Sequence, residues 1–438
     1  MMIQFEFNIF KMLLYKYLLY RLKYYKYPGL SRDQSSSISL FSAFTDYDNL
    51  LLAHKSASHN KHFYAEVKMV NSDKLFYISH IQDLLLSKTF HTSSYEIFDR
   101  YEGNKLRHIY KLPYYPDRIV QWGLIQVIGE RIISNLTRDT YSSIRGRGPL
   151  ACLTKLRRDM KYDPENTKYY LKMDVQKFYP SINHDILKEK YCRLFKDKDI
   201  LDVIFEIIDS VSPNEGVPIG NLLSQYSGNL YLSSFDHWMK EVLHVKHYYR
   251  YMDDIVVFGE NSEYLHDIQI ASNEYFKSLK LTMKPNWCVN FLDTDGLDFV
   301  GYRVFRNHVL IRNRIRDAFI KKCLHMKNKP LTDHNRSSYY SYKGILKNAN
   351  TFNLQYKYGR PLEMKWGLYD PKEWDCTKEA FHEFQRNQNI INSRKHLERR
   401  KRELTQQINR LVDMNLTPPQ FLYEEEYKLS TEIEQLPF

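Results

Sequence analysis

Two adjacent carboxylates, Asp253 and Asp254, stand between aromatic and β-branched runs in HYYRYMDDIVVFG, residues 247–259. The flanking runs, His247–Tyr251 and Ile255–Phe258, read as paired strands with a tight connection, so the acids fall at a hairpin tip. Like charges held together raise each other's pKa, and a bound divalent cation relieves the repulsion. Taken alone, such a pair more often marks an acidic surface turn. A third acid changes the balance. In YYLKMDVQKFYPSIN, residues 169–183, Asp174 ends an apolar strand pattern that runs from Tyr169 to Val175. On a strand beside the hairpin it completes a cage for two divalent ions, which lower the pKa of an attacking 3′-hydroxyl and steady a leaving pyrophosphate. Phosphoryl transfer asks little else of a protein than alignment and charge neutralisation.

The elements that must position these acids can be read along the chain. Residues 28–43 are polar and Ser-rich after Pro28-Gly29 and read as a linker. Helical patterns run from about Asp46 to Arg100. Residues 95–111 suggest a hairpin turning at Glu102-Gly103-Asn104, and 117–138 read as helix. A helix is expected over 261–280 and a second hairpin over 297–312. Helices dominate from Arg314 onward. Leu397, Leu404 and Leu411 recur every seven residues in a charge-laced helix from Ser393 to Asn415. That spacing fits a short coiled coil or a partner-binding helix, and fits better a helix packed on its own protein.

Length and composition bound the class. A chain of 438 residues suits two to four domains. The excess of 64 Lys and Arg over 52 Asp and Glu leaves a net charge of +12, which favours a polyanionic partner. Many of the 36 Tyr fit half-buried strand positions, and some could stack on bases. Cys152, Cys192, Cys288, Cys323 and Cys376 form no CxxC pair, which argues against structural zinc and for a reducing compartment. Residues 1–27 are apolar and aromatic, but Lys11, Lys16, Arg21 and Lys23 interrupt them, so no membrane span is expected there. An amphipathic helix on the protein or on RNA is expected instead, with a start site placed too far upstream as the alternative.

Together the motifs resemble the palm of reverse transcriptases. YMDD at 251–254 follows KMDVQKFYPSI. VPIGNLLSQ at 217–225 resembles the loop under the template base and incoming nucleotide, LKLTMKPN at 279–286 the following family motif, LDFVGYRVF at 297–305 the primer-grip hairpin, and KLRHIYKLPYYPDRIVQ at 105–121 the fingers segment that holds the triphosphate. The resemblance covers about residues 46–350. It implies an α+β right-hand polymerase with N- and C-terminal helical extensions: an extension and linker over 1–45, fingers with the first palm segment over 46–167, palm over 168–306 with a fingers helical insert near 186–215, thumb over 307–360, and a C-terminal helical extension over 361–438.

Carried over by position, Asp174, Asp253 and Asp254 bind two Mg²⁺ ions (or Mn²⁺), with the Val175 carbonyl as a further ligand. Lys105 and Arg107 clamp the triphosphate. Tyr179 blocks a ribose 2′-hydroxyl. Ile219, Gly220 and Gln225 line the nucleotide, with Gly220 allowing close approach to the base pair. Lys284 (or Lys280) meets the pyrophosphate. Tyr251 and Met252 touch the primer end, and Phe299, Gly301 and Tyr302 shape the primer grip. Ile219 stands where many reverse transcriptases carry Gln, which implies looser base selection. IGNLLSQ, RYMDD and SYKGILKNANTFN at 341–353 resemble bacterial enzymes of diversity-generating retroelements and of phage defence. The tail beyond about residue 360 tilts the reading toward defence. The implied partners are a structured non-coding RNA, nascent cDNA, dNTPs, and an accessory protein or second copy at the C-terminal helix, in the bacterial cytoplasm. Competing readings are a catalytically silent RNA-binding scaffold and a template-independent or protein-primed transferase.

Overall fold

The computed structural model describes residues 39–102, 105–212, 214–413 and 417–436; the expectations for residues 1–27 lie outside them. The chain divides into two compact units, one up to Asp295 and one from Gly296.

The first unit opens with α1 (Leu40–Thr45), α2 (Tyr47–Ala57), α3 (Ala65–Ser72) and α4 (Lys74–Leu86). The expected linker is therefore helical from Leu40. The Ser39 side chain caps the Ser42 amide and Asp46 caps those of Asp48 and Asn49, while Phe44 is buried. A two-stranded hairpin follows, β1 (Glu96–Glu102) with β2 (Lys105–Lys111), then α5 (Ile119–Ser134) and α6 (Pro149–Tyr162), which begins on a proline.

The central sheet has β3 (Tyr169–Asp174), β4 (Tyr248–Tyr251), β5 (Asp254–Gly259) and β6 (Cys288–Phe291) in the order β4-β5-β3-β6, all neighbours antiparallel. Between β3 and β4 come α7 (His184–Leu194), α8 (Lys198–Asp209) and α9 (Leu222–His237); α10 (Ser262–Ser278) joins β5 to β6. Alternation on β3 sends Leu171 and Met173 into the core and leaves Lys172 and Asp174 half-buried on the other face. Leu171, Met173, Ile255 and Val257 share a core cluster with Leu230 and Phe235 of α9 and with Leu265 and Phe276 of α10.

In the second unit β7 (Leu297–Phe299), β8 (Tyr302–Val304) and β9 (Val309–Ile311) form a three-stranded meander in place of the single hairpin expected over 297–312. An extra turn closes where the Phe305 amide donates to His308 O at 2.9 Å and the two rings stack at 4.3 Å. A core of Phe319, Cys323, Met326, Tyr339, Leu346 and Leu362 joins α11 (Asn313–Met326), α12 (Asp333–Leu346) and α13 (Arg360–Lys365). Then α14 (Pro371–Asp413) pairs with α15 (Gln420–Gln435). The heptad leucines lie in this pairing: Leu397 and Leu411 pack on a cluster of Leu404, Ile408, Leu422 and Leu429. Among the described residues no helix is long and apolar enough to cross a membrane. The α+β class expected from the sequence holds.

Candidate active site

Tyr251 and Asp254 are the last paired residues of β4 and β5, so Met252 and Asp253 are the two residues of a tight turn. Met252 has φ +58°, at a hairpin position normally given to glycine. Asp254 is also the register partner of Asp174 on β3. The turn and the strand pairing thus set three carboxylates at one end of the sheet. Burial, and then the charge of Asp174, push the Asp253 carboxyl up to about 6.

Two lysines answer these acids. The Lys284 amide donates to Asp174 O at 2.8 Å, and its Nζ pairs with Asp174 Oδ2. Lys172 Nζ lies 3.7 Å from Asp254 Oδ1. Among the described residues no three His, Cys, Asp or Glu side chains are gathered as a ready metal cage. The donor set still fits a hard divalent cation. Asp174 Oδ1 is buried with no hydrogen-bond partner, and Asp253 stands beside it with its charge disfavoured. Val175, wholly buried, bridges Met283, with bonds from Gln176 N to Thr282 O and from Lys284 N to Asp174 O on either side.

Tyr179 and Arg107, two of the residues expected to meet the nucleotide, lie near the same end. Tyr179 is half-buried, with its ring against Gly228 of α9, where an added Cβ would stand 3.6 Å from the Tyr179 ring. Burial pushes its phenol up; the Asp253 charge adds to this and that of Arg107 opposes it. Arg107 is exposed on β2, directly across from Arg100 on β1. Like charges directly opposite each other on a hairpin repel. Arg100 is a residue the motif reading missed; only the register reveals it. Lys105 begins β2, its backbone paired with Glu102.

Tyr110 N donates to Ile219 O at 3.0 Å, docking β2 on the 217–225 loop. Gly220 has φ +124°, and a Cβ there would stand 2.6 Å from Tyr110 O. Its glycine is therefore required by close approach to β2. Gln225 is exposed in the first turn of α9, and the Gln121 side chain accepts from Leu222 N at 2.9 Å, holding that helix start. Lys280 is exposed with φ +53°, just past α10. Phe299, Gly301 and Tyr302 belong to the second unit. Phe299 and Tyr302 are buried partners across β7 and β8, and Gly301, φ +94°, makes the turn between them.

The turn rests on a buried network that the motif reading also missed. Arg250 on β4 and Asp236 on α9 are both wholly buried and paired, and Arg250 Nη1 donates to Met252 O at 3.0 Å. An arginine inside an otherwise aromatic strand was the available signal.

The reverse transcriptase (RNA-dependent DNA polymerase) family matches residues 102–304. No curated protein matches the chain. Similar solved structures include apo telomerase from Candida tropicalis truncated from its C-terminal domain, 13% identical with a TM-score of 0.40, covering 51% of this chain and 55% of that one. The apo Candida tropicalis telomerase is 11% identical with a TM-score of 0.45, covering 66% and 62%. Telomerase from Candida albicans in complex with a TWJ fragment of telomeric RNA is 12% identical with a TM-score of 0.42, covering 82% and 71%. The chain thus spans a little over half the length of the first of these. The stretch that is similar to the reverse transcriptase family, residues 102–304, runs from the end of β1 to the end of β8 and carries all three carboxylates.

Proposed function

We propose that the chain is an RNA-directed DNA polymerase that copies a dedicated structured RNA, with Asp174, Asp253 and Asp254 as its catalytic carboxylates. The observation that carries this is the meeting of the β3 end with the β4–β5 turn, where Asp174 Oδ1 is buried and unpaired beside Asp253. Two Mg²⁺ or Mn²⁺ ions, held by the three carboxylates and the Val175 carbonyl, would activate the primer 3′-hydroxyl and neutralise the leaving pyrophosphate. The chain's own groups do the rest. Arg107 and Lys105, with Arg100 across the hairpin, hold the triphosphate as cations suited to its oxygens. Lys284 keeps a positive charge at Asp174 and supplies it to the pyrophosphate. Tyr179 excludes the 2′-hydroxyl. Ile219, Gly220 and Gln225 form the floor of the nucleotide site, with Ile219 loosening base selection because it cannot hydrogen-bond as Gln does. Tyr251 and Met252 meet the primer end, and Phe299, Gly301 and Tyr302 grip it. The fingers are residues 46–167, the palm 168–306, the thumb 307–360, and 361–438 a helical extension.

The biological setting we propose is bacterial antiphage defence, supported by the α14–α15 extension beyond the polymerase segments. The 217–225 loop equally suits a diversity-generating retroelement enzyme, which a variable repeat beside the gene would select.

The test is to purify the chain with its bound nucleic acid, sequence the RNA and DNA that copurify, and supply the four dNTPs with Mg²⁺. DNA complementary to the bound RNA is expected, and Asp253→Asn should abolish its synthesis. Incorporation of all four dNTPs irrespective of RNA sequence would overturn the templated reading. Synthesis surviving Asp253→Asn would overturn the site.

A further inference from the structure

Arg250 stands two residues before the turn that carries Asp253. A guanidinium keeps its proton at any working pH, so a full charge is held inside the first unit. Asp236 meets it as a fork: Nε to Oδ1 at 2.7 Å and Nη2 to Oδ2 at 2.6 Å. The same carboxylate accepts the hydroxyls of Tyr248 at 2.5 Å and Thr140 at 3.1 Å. A buried pair of this kind adds little net stability over an apolar core, because desolvation offsets the attraction. Its use has to be sought in what the remaining donors hold.

Those donors reach two places. Nη1 and Nη2 bind Asn229 of α9, at Oδ1 (3.1 Å) and at the main-chain O (3.3 Å). Nη1 also binds Met252 O at 3.0 Å. The strand beneath is pinned as well: Arg250 N donates to Asp139 O, and Tyr141 N to Arg250 O, each at 2.9 Å. The frame is therefore fixed on both sides, and the Met252 carbonyl is what it holds. Met252 is in a left-handed conformation that a residue with a side chain adopts only when its surroundings impose it. Without that imposition the tight turn relaxes and Asp253 swings away from Asp174.

We propose that Arg250 is a positioning residue: its guanidinium, fixed to α9 by Asp236 and Asn229, holds the Met252 carbonyl and thereby the turn that presents Asp253 to Asp174. The inference rests on reading Asp253 as a catalytic, metal-binding carboxylate.

The test replaces the network by apolar residues of similar size, Arg250→Met with Asp236→Leu and Tyr248→Phe, so that no charge is stranded and the Thr140 hydroxyl keeps the Thr137 hydroxyl 3.3 Å away. The folded variant should exchange the amide hydrogens of residues 252–254 faster than wild type. It should bind Mn²⁺ about tenfold more weakly. Its kcat for DNA synthesis should fall about 100-fold, with the KM for dNTP within about twofold. Arg250→Lys keeps the charge beside Asp236 but cannot span both Asp236 and the Met252 carbonyl. It should fall between the two in exchange and in Mn²⁺ affinity, and it carries the test if the triple variant does not fold. Wild-type exchange at 252–254 together with wild-type Mn²⁺ affinity would overturn the proposal and leave the pair a filler of the core. Failure of the underlying reading looks different: Asp253→Asn would then keep wild-type synthesis, while the exchange experiment still reports on the turn.

Discussion

A half-buried carboxylate set beside another one costs the fold stability as long as no cation shares it. Burial and Asp174 together hold the Asp253 carboxyl up at about 6, above the ordinary aspartate range. The folded state therefore binds a proton that the unfolded chain has lost between about pH 4 and about pH 6. The cost is absent below that window, grows through it, and is complete above it. In metal-free buffer at about pH 7.5, Asp253→Asn should stabilise the protein by on the order of 1–3 kcal/mol, and near pH 3.5 it should change little. Added Mg²⁺ should raise the melting temperature of wild type but not of the variant. Thermal melts across pH with and without Mg²⁺ measure this, and equal stabilisation at both pH values would refute it. Tyr179 offers a second test. Its ring lies against Gly228 and within reach of the Asp253 charge. Tyr179→Ala should raise the kcat/KM for ribonucleotides relative to deoxynucleotides by about tenfold or more, and an unchanged ratio would leave it a packed aromatic. The acids were legible in the sequence because charges that interrupt aromatic and apolar strand patterns stand out. Arg250 interrupts its strand in the same way, but its role was not legible: its partners Asp236 and Asn229 lie on α9, and only the fold brings them together.

Helix α9 carries much of the site's alignment. It packs Gly228 against Tyr179, takes its first-turn partner from Gln121, and holds Asp236 and Asn229 against β4. It also meets α7 through Lys190, whose buried Nζ donates to Ser234 Oγ at 2.7 Å. Burial pushes that ammonium down to about 7. The sign is opposite to that of a lysine gaining a partner: below about pH 7 both states are charged and the fold bears the whole burial cost. The cost shrinks as pH rises from there and is gone once the unfolded lysine has also lost its proton. Lys190→Met should therefore stabilise by on the order of a few kcal/mol at about pH 6, less at about pH 9, and hardly at all near pH 11. Denaturant melts at the three pH values decide it; a gain independent of pH would mean that the ammonium reaches water. At this scale β3, the β4–β5 hairpin and α10 were readable from period and turn length. The extra strand at 309–311 was not, because its turn is closed by Phe305 and His308 without glycine or proline. The start of α1 was hidden because a run of serines reads as a linker until one of them, Ser39, is seen to cap a helix.

Across the molecule, the residues proposed for catalysis and the C-terminal helical pair lie in different parts of the chain. The three carboxylates, the β1–β2 hairpin and the 217–225 loop all belong to the first unit, whereas α14 and α15 belong to the second. The α14–α15 pairing has a small apolar seam of its own, Leu404, Ile408, Leu422 and Leu429, and its flanks are matched in charge. Arg400 of α14 binds Glu425 of α15 at 2.7 Å. Exposed ion pairs of this kind contribute little, so the seam decides whether the two helices stay together. Leu404→Asp with Leu422→Asp sets a carboxylate on each side of it and should part the pair, because a buried unpaired charge is among the costliest substitutions. Helical ellipticity should fall and proteolysis of the 371–436 region should quicken. DNA synthesis on a primed heteropolymer template should stay within about twofold of wild type, since none of the acids, cations or loops assigned to the reaction is touched. Protection of cells against phage should be lost if the extension is what adapts the polymerase to defence. Loss of synthesis in step with protection would make α14 and α15 part of the polymerase itself. Full protection by the parted variant would remove the main support for the defence reading and favour the retroelement one.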